Sequence, residues 1–436
     1  MLTREGAAIT LANHRQHKRA NDQRFCFAGE GSKRNTEPSP AIVRHCDMRT
    51  TWAVLLAMLL LAAPGAAQAQ FIYTTNNGAI TLYQYAGGGG AVVVSNFVAN
   101  IAGYAFLNCT NVTSVTIPGS VSNIGEWAFY YCTGLTSVAI FSGVTTIGDD
   151  AFIYCASLDS VNFPDTVTGI GGAAFYGCAS LPSVRIPPSV TSIGDYAFAD
   201  CTKLTAISVN TNNAIYSSSN GVLFANRRGT LLQFPGGLGG SYAIQGSVTN
   251  IGAGAFMYCA GLAGVTIPGS VTSIGEKAFL ECGSLTSVTI PASVTSIGDY
   301  AFADCASLTN AYFQGNAPNA DSTVFDDGNP NACAYYLPGA TGWSLAIWGF
   351  PLSGPPAELW NPQIQTGGGS FGMHGGQFEF TITGTAGIPI VVEACTNLAF
   401  PVWAPVLTNT LASGSCSFSD TYHANNRASF YRIRSP

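Results

Sequence analysis

Ile267-Pro-Gly-Ser-Val-Thr-Ser-Ile-Gly-Glu-Lys-Ala-Phe-Leu-Glu-Cys282-Gly-Ser-Leu285 is one period of a pattern that recurs along this 436-residue chain. Its clearest mark is a row of cysteines: Cys109, Cys132, Cys155, Cys178, Cys201, Cys259, Cys282 and Cys305. Neighbours stand 23 residues apart, except for a gap of 58 between Cys201 and Cys259, which is one period plus 35 residues. Three residues after each cysteine comes Leu or Val, from Val112 to Leu308. Three further comes Val115, Val138 or an equivalent, and two further Ile117, Ile140, Phe163 or an equivalent. A fixed period of this length is the signature of a solenoid.

Each part of the period has a physical reading. Leu-x-x-Val-x-Ile ends in an alternation of period two, which predicts a strand with Val and Ile on one face. Pro118, Pro164, Pro187, Pro268 or Pro291 then closes the strand, having no N–H for a ladder. Gly125, Gly148, Gly194, Gly252, Gly275 and Gly298 suit a tight corner. Glu126, Asp149, Asp195, Glu276 and Asp299 follow at the expected start of a short helical turn, where a carboxylate can cap free N–H groups. The Ala-Phe pair turns inward. One repeat cannot bury its apolar side alone, so roughly nine tiers about 4.8 Å apart predict a stack about 45 Å long.

These positions resemble the BspA-type leucine-rich-repeat family, whose pattern reads Ile-Pro-x-Ser-Val-Thr-x-Ile-Gly-x-x-Ala-Phe-x-x-Cys-x-x-Leu-x-x-Val. Residues 267–285 match it almost throughout, and the resemblance covers residues 98–313. It departs at Phe141, where Pro is expected, and at Gly171-Gly172-Ala173. The resemblance implies an exported protein that binds surfaces. The expected fold is therefore a leucine-rich-repeat solenoid, a β-strand plus a short helical turn per 23-residue repeat, followed by a C-terminal all-β sandwich-like module.

The flanks add an address. Met48-Arg49, the apolar run Trp52–Ala63 and Ala67-Gln68-Ala69 read as a secretory signal peptide over residues 48–69, cleaved near Ala69. Residues 1–47 then read as a non-native or disordered extension. Residues 70–97 are expected to form an N-terminal β cap, 98–313 the solenoid, 314–354 a cap and linker, and 355–436 the β module. The insertion at 210–247 reads as a hairpin of Asn220–Phe224 with Thr230–Pro235, making a bulge or an extra tier. The module resembles C-terminal modules of exported repeat proteins through Glu393-Ala-Cys-Thr-Asn-Leu398 and Phe430-Tyr-Arg432. The expected location is secreted or cell-surface, with no membrane span in the mature chain.

Composition narrows the chemistry. Only 9% of the chain is charged, and from Gln70 onward there are 8 basic and 18 acidic residues. Nucleic acid and anionic lipid are poor partners for such a surface. The repeats hold no His and no Cys-x-x-Cys, so the cysteines read as small buried fillers rather than metal ligands. Rows of Asp195 with Asp200, Glu276 with Glu281, and Asp299 with Asp304 diverge too much for calcium, which wants converging oxygens. Past Gln70 the histidines are His374 and His423, and no nucleophile elbow accompanies them. No catalytic residue, metal or cofactor is expected. Cys395 and Cys416, in the β module, are the candidate disulfide.

Two surfaces remain for a protein or glycan partner. The residue between the inward Val and Ile faces outward: Thr116, Asn162, Arg185, Ser208, Thr266, Thr289 and Tyr312. This small, polar face suits an adhesion or protein-binding scaffold. The alternative is a carbohydrate-binding protein using an aromatic row of Tyr130, Tyr131, Tyr154, Tyr176 and Tyr258, or the β module.

Overall fold

The computed structural model describes residues 70–320, 323–325, 332–343, 358–366, 369, 371–398, 400–420 and 429–434. The expected extension at 1–47, the expected signal peptide at 48–69, His423 and the Pro351–Pro356 stretch lie outside the described residues. The repeats form a β-solenoid of about 11 turns. Two of these turns are the short caps, and the stack continues past Phe313.

Two parallel ladders run along the stack. One holds the Val-x-Ile strands: Gly90–Val93, Val112–Ile117, Ser137–Ile140 and Ser160–Asn162 in one sheet, Ser183–Ile186 with Ala206–Val209 in the next. The other holds two-residue strands ending in the repeat's second Ile: Asn100–Ile101, Asn123–Ile124, Thr146–Ile147, Gly169–Ile170 and Ser192–Ile193. Registers are uniform, Ile to Ile in each tier. Between the ladders the phenylalanines stack face to face. Phe106, Phe129, Phe152, Phe175 and Phe198 are separated by 4.6, 4.8, 5.1 and 5.7 Å.

The expected helical turn is not there. From corner glycine to cysteine the N–H groups alternate between two destinations. Ala128, Tyr130 and Cys132 donate within the tier to Gly125, Trp127 and Phe129. Trp127, Phe129 and Tyr131 donate to Asp149, Ala151 and Ile153 of the next tier at 3.0, 2.7 and 3.0 Å. An α-helix keeps every interior N–H inside itself. Alternation instead puts every fourth residue in the left-handed region, Trp127 at φ 61° and Tyr131 at φ 60°, and builds a chain of turns bonded to its neighbour. Among the described residues the helical element is a single 3-10 turn, Asn226–Arg228.

The corner glycines answer to crowding rather than to φ. Gly148 lies outside the left-handed region, but a Cβ there would stand 2.7 Å from the Glu126 backbone N. The cysteines also have a finer role than filling. Cys132 Sγ donates to the Phe106 carbonyl at 3.0 Å, Cys155 to Phe129 at 3.2 Å and Cys305 to Phe279 at 3.0 Å, tying each tier to the one before.

The insertion at 210–247 is a second copy of the N-terminal cap. In the first, Phe71–Asn76 and Ala79–Tyr85 make an antiparallel hairpin whose Thr81-Leu82 pairs in parallel with Asn100-Ile101. In the second, Val222–Ala225 and Thr230–Gln233 do the same, and Thr230-Leu231 pairs with Asn250-Ile251. Tyr85 N–H bonds Ala105 O at 2.7 Å, and Phe234 N–H bonds Ala255 O at 2.7 Å. Tyr85 stacks on Phe106 at 5.1 Å, and Phe234 on Phe256 at 5.1 Å. Both caps then cross by a glycine-rich link to a strand with the same bulge, at Gly90/Ala91 and Gly240/Ser241. The stack therefore starts twice.

The apolar interior divides at this point. Leu223 and Ala225 join the first core, while Val222 and Phe224, on the opposite face of the same strand, join the second. All four are buried. The backbone ladder breaks there too: the sheet ending in Ser192–Ile193 does not continue into Thr230–Gln233. Side chains take over, with Ile193 N–H donating to Tyr216 Oη at 2.8 Å and Val209 N–H to Ser218 Oγ at 3.0 Å.

Past Phe313 the strand ladder goes on through Cys333–Tyr336 to Glu358–Leu359. Two antiparallel sheets follow. One contains Gln363–Gln365, Gly372–His374, Gln377–Thr383 and Ser415–Asp420; the other Ala404–Thr410, Pro389–Cys395 and Phe430–Arg434. Their apolar faces share a core with Tyr312, Cys333 and Tyr335. The buried Glu393 receives Arg432 at 2.7 Å and Arg434 at 2.6 Å. Burial alone would raise its carboxyl pKa, but the hydrogen bonds from the two arginines outweigh it and hold it below the usual range.

Candidate functional site

The outward strand residues lie side by side because parallel pairing is in register: Arg185 opposite Ser208, Thr289 opposite Tyr312. Asn162, Arg185, Ser208 and Thr266 are exposed, and Thr116 and Thr289 half-exposed. Tyr312 departs from the expectation. It points to the outer face but is 3% exposed, stacked on Tyr335 at 5.3 Å under the C-terminal sheets. The module needs an apolar floor, and the last tiers provide it with Tyr312 and Tyr335 where earlier tiers carry smaller or polar residues such as Thr116, Ala139, Asn162 and Arg185.

On the turn face the tyrosines pack more than they display. Tyr131 is 45% exposed, but Tyr130, Tyr154 and Tyr258 are half-buried and Tyr176 is 2% exposed. The row runs as edge contacts: Tyr131 to Tyr154 at 5.5 Å, Tyr154 to Tyr176 at 5.5 Å and Tyr176 to Tyr258 at 6.0 Å. The left-handed glycines make room for it, since a Cβ on Gly177 would meet the Tyr154 ring at 2.6 Å. Tyr176 is thus corrected from a displayed ring to a buried one. Its cover comes from Met257 and Tyr258 across the insertion, which a linear repeat pattern does not place beside it.

The same juxtaposition gathers carboxylates. Asp195 comes near Glu276, and Asp200 near Glu281, although 81 residues separate each pair. Burial, then the neighbouring Glu281, pushes Asp200 up to about 6. Asp195 is raised by burial and Glu276, and Glu281 by burial and Asp304, with a Tyr258 hydrogen bond opposing. Asp149 does cap an N–H, but that of Gly172 in the next tier, at 2.7 Å. Among the described residues no three His, Cys, Asp or Glu gather as metal ligands.

Cys395 and Cys416 do not bond to each other; both are free thiols. Cys395 lies on Pro389–Cys395 and donates to Asn397 O at 3.2 Å, while Cys416 stands opposite Ile382 on the other sheet. His374 is exposed at a strand end. Sequence reading missed one feature, an open groove of about 280 Å³ on the turn face of the first cap, lined by Tyr83, Gln84, Tyr85, Gly103, Tyr104, Ala105 and Leu107. The signal was available: Leu82-Tyr-Gln-Tyr85 parallels Leu231-Leu-Gln-Phe234.

Comparison with known proteins places this architecture. The BspA type leucine rich repeat region matches in 6 copies, over residues 99–227 and 240–331, just over half of the chain. No curated protein matches. Among solved structures, the chain is similar to a leucine-rich repeat protein from Eubacterium ventriosum at 26% identity, covering 60% of this chain and 75% of that one, TM-score 0.49. It is similar to a leucine rich cell surface protein from Faecalibacterium prausnitzii at 26% identity, covering 63% and 95%, TM-score 0.41. The pneumococcal vaccine antigen PcpA aligns at 16% identity, covering 63% and 93%, TM-score 0.45.

Proposed function

The chain belongs to the BspA-type leucine-rich-repeat family, and from that premise we propose that it is a non-enzymatic, exported scaffold that binds a protein partner at a cell surface. The observation that carries this reading is the outward strand face. It offers Thr116, Asn162, Arg185, Ser208, Thr266 and Thr289 at regular spacing on a rigid support. Small polar side chains so arranged favour contact spread over several tiers rather than one anchor. The sequence of Met48–Ala69 supports export, and the acidic chain from Gln70 onward disfavours nucleic acid. The glycan reading has less to rest on, because of five tyrosines proposed for it only Tyr131 is well exposed.

The test is deletion of two whole tiers, residues 133–178, which keeps the register of the stack. Binding of the purified protein to host or neighbour cells, followed by flow cytometry, should fall further than for Asn162→Ala or Arg185→Ala. Equal binding by the shortened protein overturns the reading.

A further inference from the structure

We propose that the open edge of Phe71–Asn76 is a self-association surface, on which a second molecule lays the same strand antiparallel about a two-fold axis, Tyr73 of each chain opposite Thr75 of the other. This rests on the reading of the chain as exported, because that reading sets where the mature chain begins.

Phe71–Asn76 ends its sheet, and among the described residues only Ala79–Tyr85 pairs with it. Which of its groups face the open side follows from that neighbour. Ile80 and Leu82 turn their carbonyls the other way, accepting Ala99 N–H and Ala102 N–H at 2.8 Å each. Residues opposite each other in an antiparallel pair either bond to each other or both turn away. Thr75 and Tyr73, opposite Ile80 and Leu82, therefore point N–H and C=O outward. Thr74, Thr75 and Asn76 are exposed.

The second cap shows what such an edge takes. Phe224 stands opposite Leu231 as Tyr73 stands opposite Leu82, and the same bulge lies beside each, at Leu223/Phe224 and Ile72/Tyr73. There the edge is covered. Tyr216–Ser219 pairs antiparallel with Val222–Ala225, Ser217 opposite Phe224, and all of Val222–Ala225 is buried. The bulge does not keep a strand away. Tyr216–Ser219 reaches its place through a two-residue turn, Asn220-Gly221, at φ 52° and 80°. Counted back from Phe71 as from Val222, the corresponding strand would be residues 65–68, outside the described residues. Cleavage near Ala69 removes them, so the mature chain has no such strand of its own for this edge.

The same strand of a second molecule meets the requirement. The outward groups of Tyr73 and Thr75 recur at the spacing of an antiparallel ladder, so two identical strands satisfy each other, with Thr74 facing Thr74 at the axis. Natural edge strands are guarded by charge or Pro. Phe71–Asn76 has neither, and no Asp, Glu, Lys or Arg stands between Gln70 and Gly125, although the chain from Gln70 onward carries 18 acidic residues against 8 basic. This end can meet its own copy without the repulsion the rest of the chain would bring. Phe97, 52% exposed, packs edge-on against Tyr73 at 5.3 Å, so apolar surface borders the paired strands.

The test is sedimentation velocity of the chain purified after export, with its start read from intact mass. A chain beginning at Gln70 should pass from monomer to dimer mass as concentration rises. Thr74→Cys should give a disulfide-linked dimer on mild oxidation, since facing residues of a non-bonded pair stand about 4.5 Å apart at Cα, within disulfide reach. The parent chain and Ser142→Cys, exposed on another tier, should not. Thr74→Lys sets two lysines face to face and should weaken association about fivefold. Thr75→Pro removes an outward donor and no bond within the chain, and should abolish association. A chain beginning at Gln70 that stays monomeric overturns the proposal, as does parental association in both Thr74→Lys and Thr75→Pro, or cross-linking of Ser142→Cys equal to that of Thr74→Cys. A chain that keeps residues 65–68 overturns the export reading and takes the proposal with it, an outcome read from mass before any sedimentation.

Discussion

Replacing Phe224 by alanine tests whether the stack is one cooperative body or two joined at a seam. Phe224 is fully buried, on a strand whose alternate residues serve different cores. Its ring belongs with Leu231, Phe234 and Phe256, downstream of the seam. Truncating a buried Phe costs about 3–5 kcal/mol through lost transfer energy and an unfilled cavity. In a solenoid such a loss spreads only as far as neighbour coupling carries it. At the seam that coupling lacks continuous strand pairing; it runs through Tyr216 Oη, Ser218 Oγ, single backbone bonds such as Gly237 N–H to Leu204 O, the contacts of Leu223 and Ala225, and the Tyr176–Met257 packing on the turn face. Hydrogen exchange should therefore show protection falling about a hundredfold or more at Ile251 and Ile274, as that loss implies. The amides of Ile124 and Ile147, in the first ladder, should keep theirs. Phe152→Ala, a truncation of the same size within the first core, should reverse the pattern. Equal loss of protection on both sides in either variant would refute the division.

Three other outcomes follow from particular contacts. Gly148→Ala puts a Cβ 2.7 Å from a backbone N, so it should cost about 1–3 kcal/mol in chemical denaturation, whereas Gly283→Ala, with open space around it, should be nearly neutral. Thiol-reactive dye on the native protein should label Cys109 and Cys416 ahead of the nine other described cysteines, all buried, and reductant should not change the melting temperature. Asp200 has its pKa raised in the folded state, so folding retains its proton: the benefit is complete below about pH 4 and lost as pH rises through about 6. Asp200→Asn should therefore stabilise the protein at pH 7.5, by about 1–2 kcal/mol after allowing for solvent screening, and flatten stability between pH 4 and 6.

How much of this was legible in the sequence depends on whether neighbours in the chain are neighbours in space. The strand, its Pro stop and the inward Phe recur at a fixed interval, so their stacking could be read directly from Cys109 to Cys305. The turn was misread because helix propensity concerns one segment, and its N–H groups are bonded by the next tier. The corner glycines were assigned to the right place for the wrong cause, since what they avoid is the backbone 22 residues back, such as Gly103 for Gly125, Glu126 for Gly148 and Ala253 for Gly275. Tyr176 and Tyr312 failed for a shared reason. Each is covered by residues that break the period, Met257 and Tyr258 past the insertion in one case and the C-terminal sheets in the other. Outward position on a repeat is periodic information; burial is not.

The repeated cap gives the insertion a purpose that its length alone conceals. A stack of this kind cannot begin with a full tier, because the first tier would leave unpaired strand N–H groups and one face of its phenylalanine ring in water. The hairpin solves both problems, pairing its second strand with the first Ile pair and laying Tyr85 on Phe106. Placing the same device after Val209 lets a second stack begin without requiring the first to end well. In the interior the two stacks meet at one strand, Val222–Ala225, whose opposite faces fit different cores, and on the turn face Tyr176 packs on Met257 and Tyr258. The cost is a trough on the turn face wherever a cap sits. Inside the molecule the Tyr196 ring, from the preceding tier, lies over Gly254 beside the second cap; beside the first cap the groove is open among the described residues.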